Sequence, residues 1–163
     1  MSGNFANFLS ILYLAILVLT AVLASVLAWM GLSRVARPGA PAFIARAMTT
    51  VVVMVTYLVS SLTIDSPIAR FAAELRIPLI PLGTVLTLYF VLEFTGNRIR
   101  LSNLSRGLLL VPIVLTPAML GLLENGFYQN FEQTRFALIF VERSTYGVWS
   151  LLMLSYNTLL LFV

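Results

Sequence analysis

The chain has 163 residues, 60% hydrophobic and only 10% charged, with a mean hydropathy of +1.00. A water-facing domain carries ~25% charge, so this composition excludes one and points to a single polytopic membrane domain, all-α, a transmembrane helix bundle. All ten basic residues are Arg, the net charge is +4, and Cys and His are both absent. That excludes a disulfide framework and a thiolate nucleophile and removes the commonest metal ligand, so no metal and no cofactor are expected.

A span needs about 20 predominantly apolar residues, and five segments meet or approach that: 9–30, 43–64, 77–95, 107–123 and 146–163. The first is Leu9–Met30. No Lys or Arg precedes it, and the run is long for a signal peptide, so it is read as a retained span. Gly31, Pro38-Gly39 and Pro41 break the helix before the second span, Phe43–Ile64. Arg46, early in that span, is expected to snorkel back towards Arg34 and Arg37. Asp65-Ser66-Pro67 reads as a helix start, with Asp65 or Ser66 as N-cap. It opens a short amphipathic helix, SPIARFAAELR, in which Arg70 and Glu74 are spaced to pair. The third span, Ile77–Thr95, then carries Pro78 and Pro81 near its entry. The fourth, Gly107–Leu123, holds Pro112 and Pro117. A polar, aromatic segment follows, in which FALIFV is too short to span and reads as a strand or an interfacial turn. The fifth span begins near Tyr146 and runs to Val163. It ends inside an apolar run with nothing beyond to close it, as expected of a chain cut from something longer.

Alternate loops differ in charge. Arg34, Arg37 and Arg46 with Arg98, Arg100 and Arg106 make six Arg without an acid, whereas the second and fourth loops carry four Arg and five acids. The positive-inside rule then places the N-terminus outside and the first and third loops in the cytoplasm. Arg at span ends accounts for the charge, and nucleic acid is not an expected partner.

Glu93 lies within the third span, where an ionised acid costs roughly 2.5–3.5 kcal/mol at the helix centre. It reads either as a proton relay, ion ligand or switch partner, or as an interfacial anchor pairing with Arg98, Arg100 or Asn97. The anchor is favoured, since Gly96 ends the span three residues on. Thr87 and Tyr89 add hydroxyls to the same helix, Tyr57 to the second span, and Tyr156 with Asn157 polar groups to the fifth. Helix–helix packing accounts for these groups; a pocket between spans two, three and five is the functional alternative. Aromatic residues of the segment before span five, such as Tyr128 and Phe136, read as an interfacial belt or a cap over that pocket. No phosphate loop, zincin or hydrolase motif is present, and no catalytic residue is expected.

The first loop RPGAPAF, the LEFTGN exit of span three, the Glu124-Asn125-Gly126 after a proline-containing fourth span, and YGVWSLLMLSYNTLLL resemble the N-terminal seven-transmembrane sensor region of prokaryotic histidine kinases. The resemblance implies an input module in the cytoplasmic membrane that passes a signal to an attached output module. It assigns no ligand, and two of the seven spans are missing. The alternative is a small accessory subunit of a larger membrane complex. The lipid bilayer is the expected partner in both cases, with a homodimer or a larger assembly around it.

Overall fold

The computed structural model describes residues 3–64, 66–95, 114, 128–146, 151, 152, 155, 156 and 158. Three long helices, α1 (Gly3–Leu32), α2 (Ala40–Leu62) and α3 (Pro67–Phe94), are followed by a hairpin of β1 (Tyr128–Phe136) and β2 (Ile139–Tyr146). Each helix is long and apolar enough to cross a membrane; at 1.5 Å per residue even α2 is roughly 34 Å long.

One narrow seam of α1 is buried. Ser10, Leu17, Ala24, Ala28 and Gly31 recur at intervals of seven, four and three, the rows that stay on one side of a helix. Nearly all the seam residues are small, which lets backbones approach closely where lipid removes the hydrophobic drive for association. At Gly31 an added Cβ would lie 2.7 Å from Ile44 Cγ1. The rest of α1 exposes large apolar side chains, from Phe8 to Trp29, as a lipid-facing surface requires.

α2 packs between α1 and α3. Gly39, its N-cap, has φ 79°, and Pro41 occupies the first turn; glycine adopts that left-handed backbone without strain. α3 starts where the sequence placed a helix start: Ser66 accepts a hydrogen bond from Ile68 N–H, with Pro67 at the first position. Arg70 and Glu74 pair at 2.9 Å, as their spacing predicts.

Three expectations need correction. The amphipathic segment and the third span form one helix, so Pro78 and Pro81 lie in its interior. They withdraw the N–H groups that would bond the carbonyls of Glu74 and Ile77, yet both are buried against neighbours, the condition under which a membrane helix tolerates them. The all-α reading also yields: the structure is mostly helical but FALIFV forms the turn and start of an antiparallel hairpin, with Phe136 opposite Ile139. Third, Tyr146 ends β2 rather than opening the fifth span. Residues 151, 152, 155, 156 and 158 are helical. The fourth span lies outside the described residues except for Val114.

The hairpin rests on the helix ends. Ser10 Oγ donates to the Phe136 carbonyl at 3.3 Å, and Gln133 Nε2 donates to the Ser60 carbonyl at 2.7 Å. Ile139, the first residue of β2, is buried.

Candidate functional site

Polar groups collect along the α2–α3 seam. Successive contacts run forwards along α2 and backwards along α3: Gly39 to Glu93, Phe43 to Phe90, Arg46 to Thr87, and Tyr57 to Arg76. The two helices are therefore antiparallel and closely registered.

At one end, Gly39 N–H donates to Glu93 Oε2 at 2.9 Å. α2 has no acid in its first turn and no side-chain cap of its own, so Glu93 supplies from α3 the negative charge that a helix N-terminus favours. Asn97, Arg98 and Arg100, the partners its sequence position suggests, lie outside the described residues. Phe90 closes the same corner, with its ring 5.6 Å from Phe43 and 5.5 Å from Phe94.

Further in, Arg46 departs from expectation. Its guanidinium does not return to the loop; Nη1 donates to Thr50 Oγ1, one turn deeper, and Nε donates to Thr87 Oγ1 at 3.2 Å. Thr50 lies roughly 15 Å along the axis from Ala40. Both threonines are prepared for this role. Thr50 Oγ1 donates to the Arg46 carbonyl and Thr87 Oγ1 to the Gly83 carbonyl, at 3.1 and 2.9 Å, which leaves oxygen lone pairs facing the cation. Gly83 makes the room: a Cβ there would stand 3.2 Å from Arg46 Cζ. An arginine at the centre of a span costs roughly 2.5–3.5 kcal/mol, and two neutral hydroxyls offset part of that.

At the hairpin end, Arg76 is 6% exposed and its Cζ stands 4.2 Å over the centroid of the Tyr57 ring. A desolvated cation on an aromatic face is worth about 2 kcal/mol. Ser60 is buried one turn from Tyr57, with Gln133 of the hairpin on its carbonyl.

The sequence-derived candidates therefore divide. Glu93 and Thr87 belong to the Gly39 end. Tyr57 belongs to the hairpin end, roughly 16 Å along α2 from Arg46. Tyr89 is half-buried and makes no hydrogen bond to a described residue. Tyr156 is half-buried in helical backbone, and Asn157 lies outside the described residues. The residues that sequence reasoning passed over are Arg46 and Arg76. Thr50 follows Arg46 by four residues and Thr87 follows Gly83 by four, but that these two steps face each other is set by the register of α2 on α3.

Residues 13–163 match a family model described as the N-terminal 7TM region of histidine kinase. The chain belongs to that family. Comparison with curated proteins found no match, and comparison with solved structures found none. As a histidine-kinase 7TM sensor region the chain is an integral membrane protein, and the three apolar helices among its described residues fit that assignment. Among its described residues no group of His, Cys, Asp or Glu is arranged to hold a metal ion.

Proposed function

We propose that this 7TM region is the input module of a two-component histidine kinase in a prokaryotic cytoplasmic membrane, and that it passes its signal to an output module outside the chain. The family match over residues 13–163 carries the reading. In this reading five spans cross the membrane with the N-terminus outside, so the hairpin faces the exterior and the Gly39–Glu93 corner faces the cytoplasm. Phosphoryl transfer belongs to the attached kinase, and the chain works as a homodimer or within a larger assembly.

The arrangement suits transmission. The hairpin bonds to the outer ends of α1 and α2 through Ser10 and Gln133. Below it lie Tyr57 and Arg76, then Pro78 and Pro81, where α3 lacks two backbone bonds and bends most easily. A signal altering the hairpin or the Tyr57 region would shift α3 against α2 between two packings. Glu93, Tyr89 and Thr87 would feel that shift at the inner end.

Reading the gene beyond codon 163 tests this. Two further spans followed by a kinase module are expected, and a stop codon directly after Val163 would overturn the proposal. Detergent purification gives an independent check. A dimer without other subunits agrees with an input module, whereas a stoichiometric larger partner would favour an accessory subunit.

A further inference from the structure

We infer that Arg46, fixed between Thr50 and Thr87 over Gly83, is a binding site for the oxyanion head group, phosphate or carboxylate, of an anionic membrane amphiphile. A guanidinium offers five N–H donors, and the two threonines engage two of its nitrogens, Nε and Nη1. The donors that remain have no carboxylate partner among the described residues, where the ion pair is Arg70–Glu74. Glu93, the acid nearest along α3, accepts instead from Gly39. A charge within an apolar span calls for a counter-charge, and a planar fork of donors matches a bidentate oxyanion. Arg46 is half-buried, so a ligand can reach it.

The surroundings select an amphiphile rather than a free anion. Ile80, Thr84, Thr87, Val91 and Phe94 are spaced four, three, four and three apart and form one stripe of α3. Its apolar members are open, with Ile80 40%, Val91 46% and Phe94 72% exposed. An acyl chain laid along that stripe keeps its head group beside Thr87 and Arg46. Arg34 and Arg37, in the loop between α1 and α2, add positive potential at the same end and favour an anion's approach. The site does not depend on whether the chain signals.

The test uses the full chain purified into phosphatidylcholine nanodiscs and titrated with phosphatidylglycerol, oleate or inorganic phosphate. Thermal midpoint is followed, and retained lipid is counted by native mass spectrometry. Phosphatidylglycerol or oleate should raise the midpoint of the native chain at concentrations where inorganic phosphate leaves it unchanged. Arg46→Gln should weaken lipid binding at least tenfold, with Arg46→Lys intermediate. Gly83→Ala keeps the charge but displaces the guanidinium, and should weaken binding several-fold; it stands in if Arg46→Gln does not fold. Arg70→Gln, near the opposite end of α3, should retain the bound lipid. Native-like lipid retention by Arg46→Gln, or by both Arg46→Lys and Gly83→Ala, overturns the inference. Stabilisation by inorganic phosphate equal to that by lipid would overturn the amphiphile as its ligand.

Discussion

The carboxylate of Glu93, near the end of α3, caps the start of α2 by accepting the Gly39 N–H at 2.9 Å. Gly39 is held there by its φ of 79° and by Phe90, whose Cδ2 and carbonyl oxygen would lie 3.1 and 3.3 Å from any added Cβ. Acceptor and backbone conformation therefore act together. Glu93→Gln retains an acceptor but gives up the charge, and should lose only about 0.3 kcal/mol, the low end of what a charge at a helix N-terminus is worth. Glu93→Ala should cost about 1 kcal/mol, the ordinary net worth of such a bond, and Gly39→Ala about 1–2 kcal/mol from backbone strain alone. Unfolding of the purified chain by added denaturing detergent measures all three. A loss with Glu93→Gln as large as with Glu93→Ala would show that charge, and not the bond, holds this corner.

A second prediction concerns the packing of α1 on α2 at Gly31. The Cβ of Gly31→Ala would fall 2.7 Å from Ile44 Cγ1. Ile44 is β-branched and stiff at χ1, so it cannot simply swing aside. Overpacking of this kind typically costs about 1–3 kcal/mol. Ile44→Ala opens the same space, and the double variant Gly31→Ala with Ile44→Ala should recover part of the loss. Strict additivity in the double-mutant cycle would place the cost elsewhere.

Much of the helical frame was legible in the sequence, because an apolar run long enough to span has few alternatives. The first two spans were expected at Leu9–Met30 and Phe43–Ile64, and the helices found are Gly3–Leu32 and Ala40–Leu62. What was not legible depended on neighbours. Pro78 and Pro81 read as an entry, because a proline inside a helix is costly in water, but burial of both against other groups permits them. Arg46 read as a snorkelling side chain, because nothing local reveals that Gly83 on another helix leaves it room. The hairpin was half legible in FALIFV, since its turn lacks the usual Asn-Gly or Gly signal. The candidate pocket fared least well: Tyr57 on α2 and Thr87 on α3 lie in one seam at different depths, and only three-dimensional register separates them.

That turn gives a third prediction. Ala137 has φ 52°, and among the described residues it is the non-glycine residue with a positive φ. It occupies the first central position of a two-residue turn between Phe136 and Ile139, where a mirror-image turn normally takes glycine. Arg135 Nε donates to the Ala137 carbonyl at 3.3 Å and helps hold the conformation. Ala137→Gly should relieve strain of about 1 kcal/mol, less the flexibility that glycine adds to the unfolded chain. Ala137→Val should weaken the hairpin. Amide hydrogen exchange along Phe136 and Ile139 reports the effect locally, and slower exchange in the valine variant than in the glycine variant would contradict the strain argument.

The last prediction separates ring from hydroxyl at Tyr57. Arg76 is almost fully buried with its Cζ 4.2 Å above the ring centroid, so the attraction comes from the aromatic face, while the phenolic oxygen is dispensable to it. Tyr57→Phe keeps that face and should stay within about 0.5 kcal/mol of the native chain, the usual range for a substitution that spares such a feature. Tyr57→Leu keeps apolar volume but removes the quadrupole, and should lose about 2 kcal/mol. Repeating both changes in an Arg76→Met background completes the cycle: with the cation gone, the gap between Phe and Leu at position 57 should shrink to the small cost of a volume-conserving swap. If the gap persists without Arg76, packing of the ring against α3 is what stabilises this part of the seam. If Tyr57→Phe alone is costly, the hydroxyl has a role of its own, and Tyr57 returns to the front of the pocket candidates.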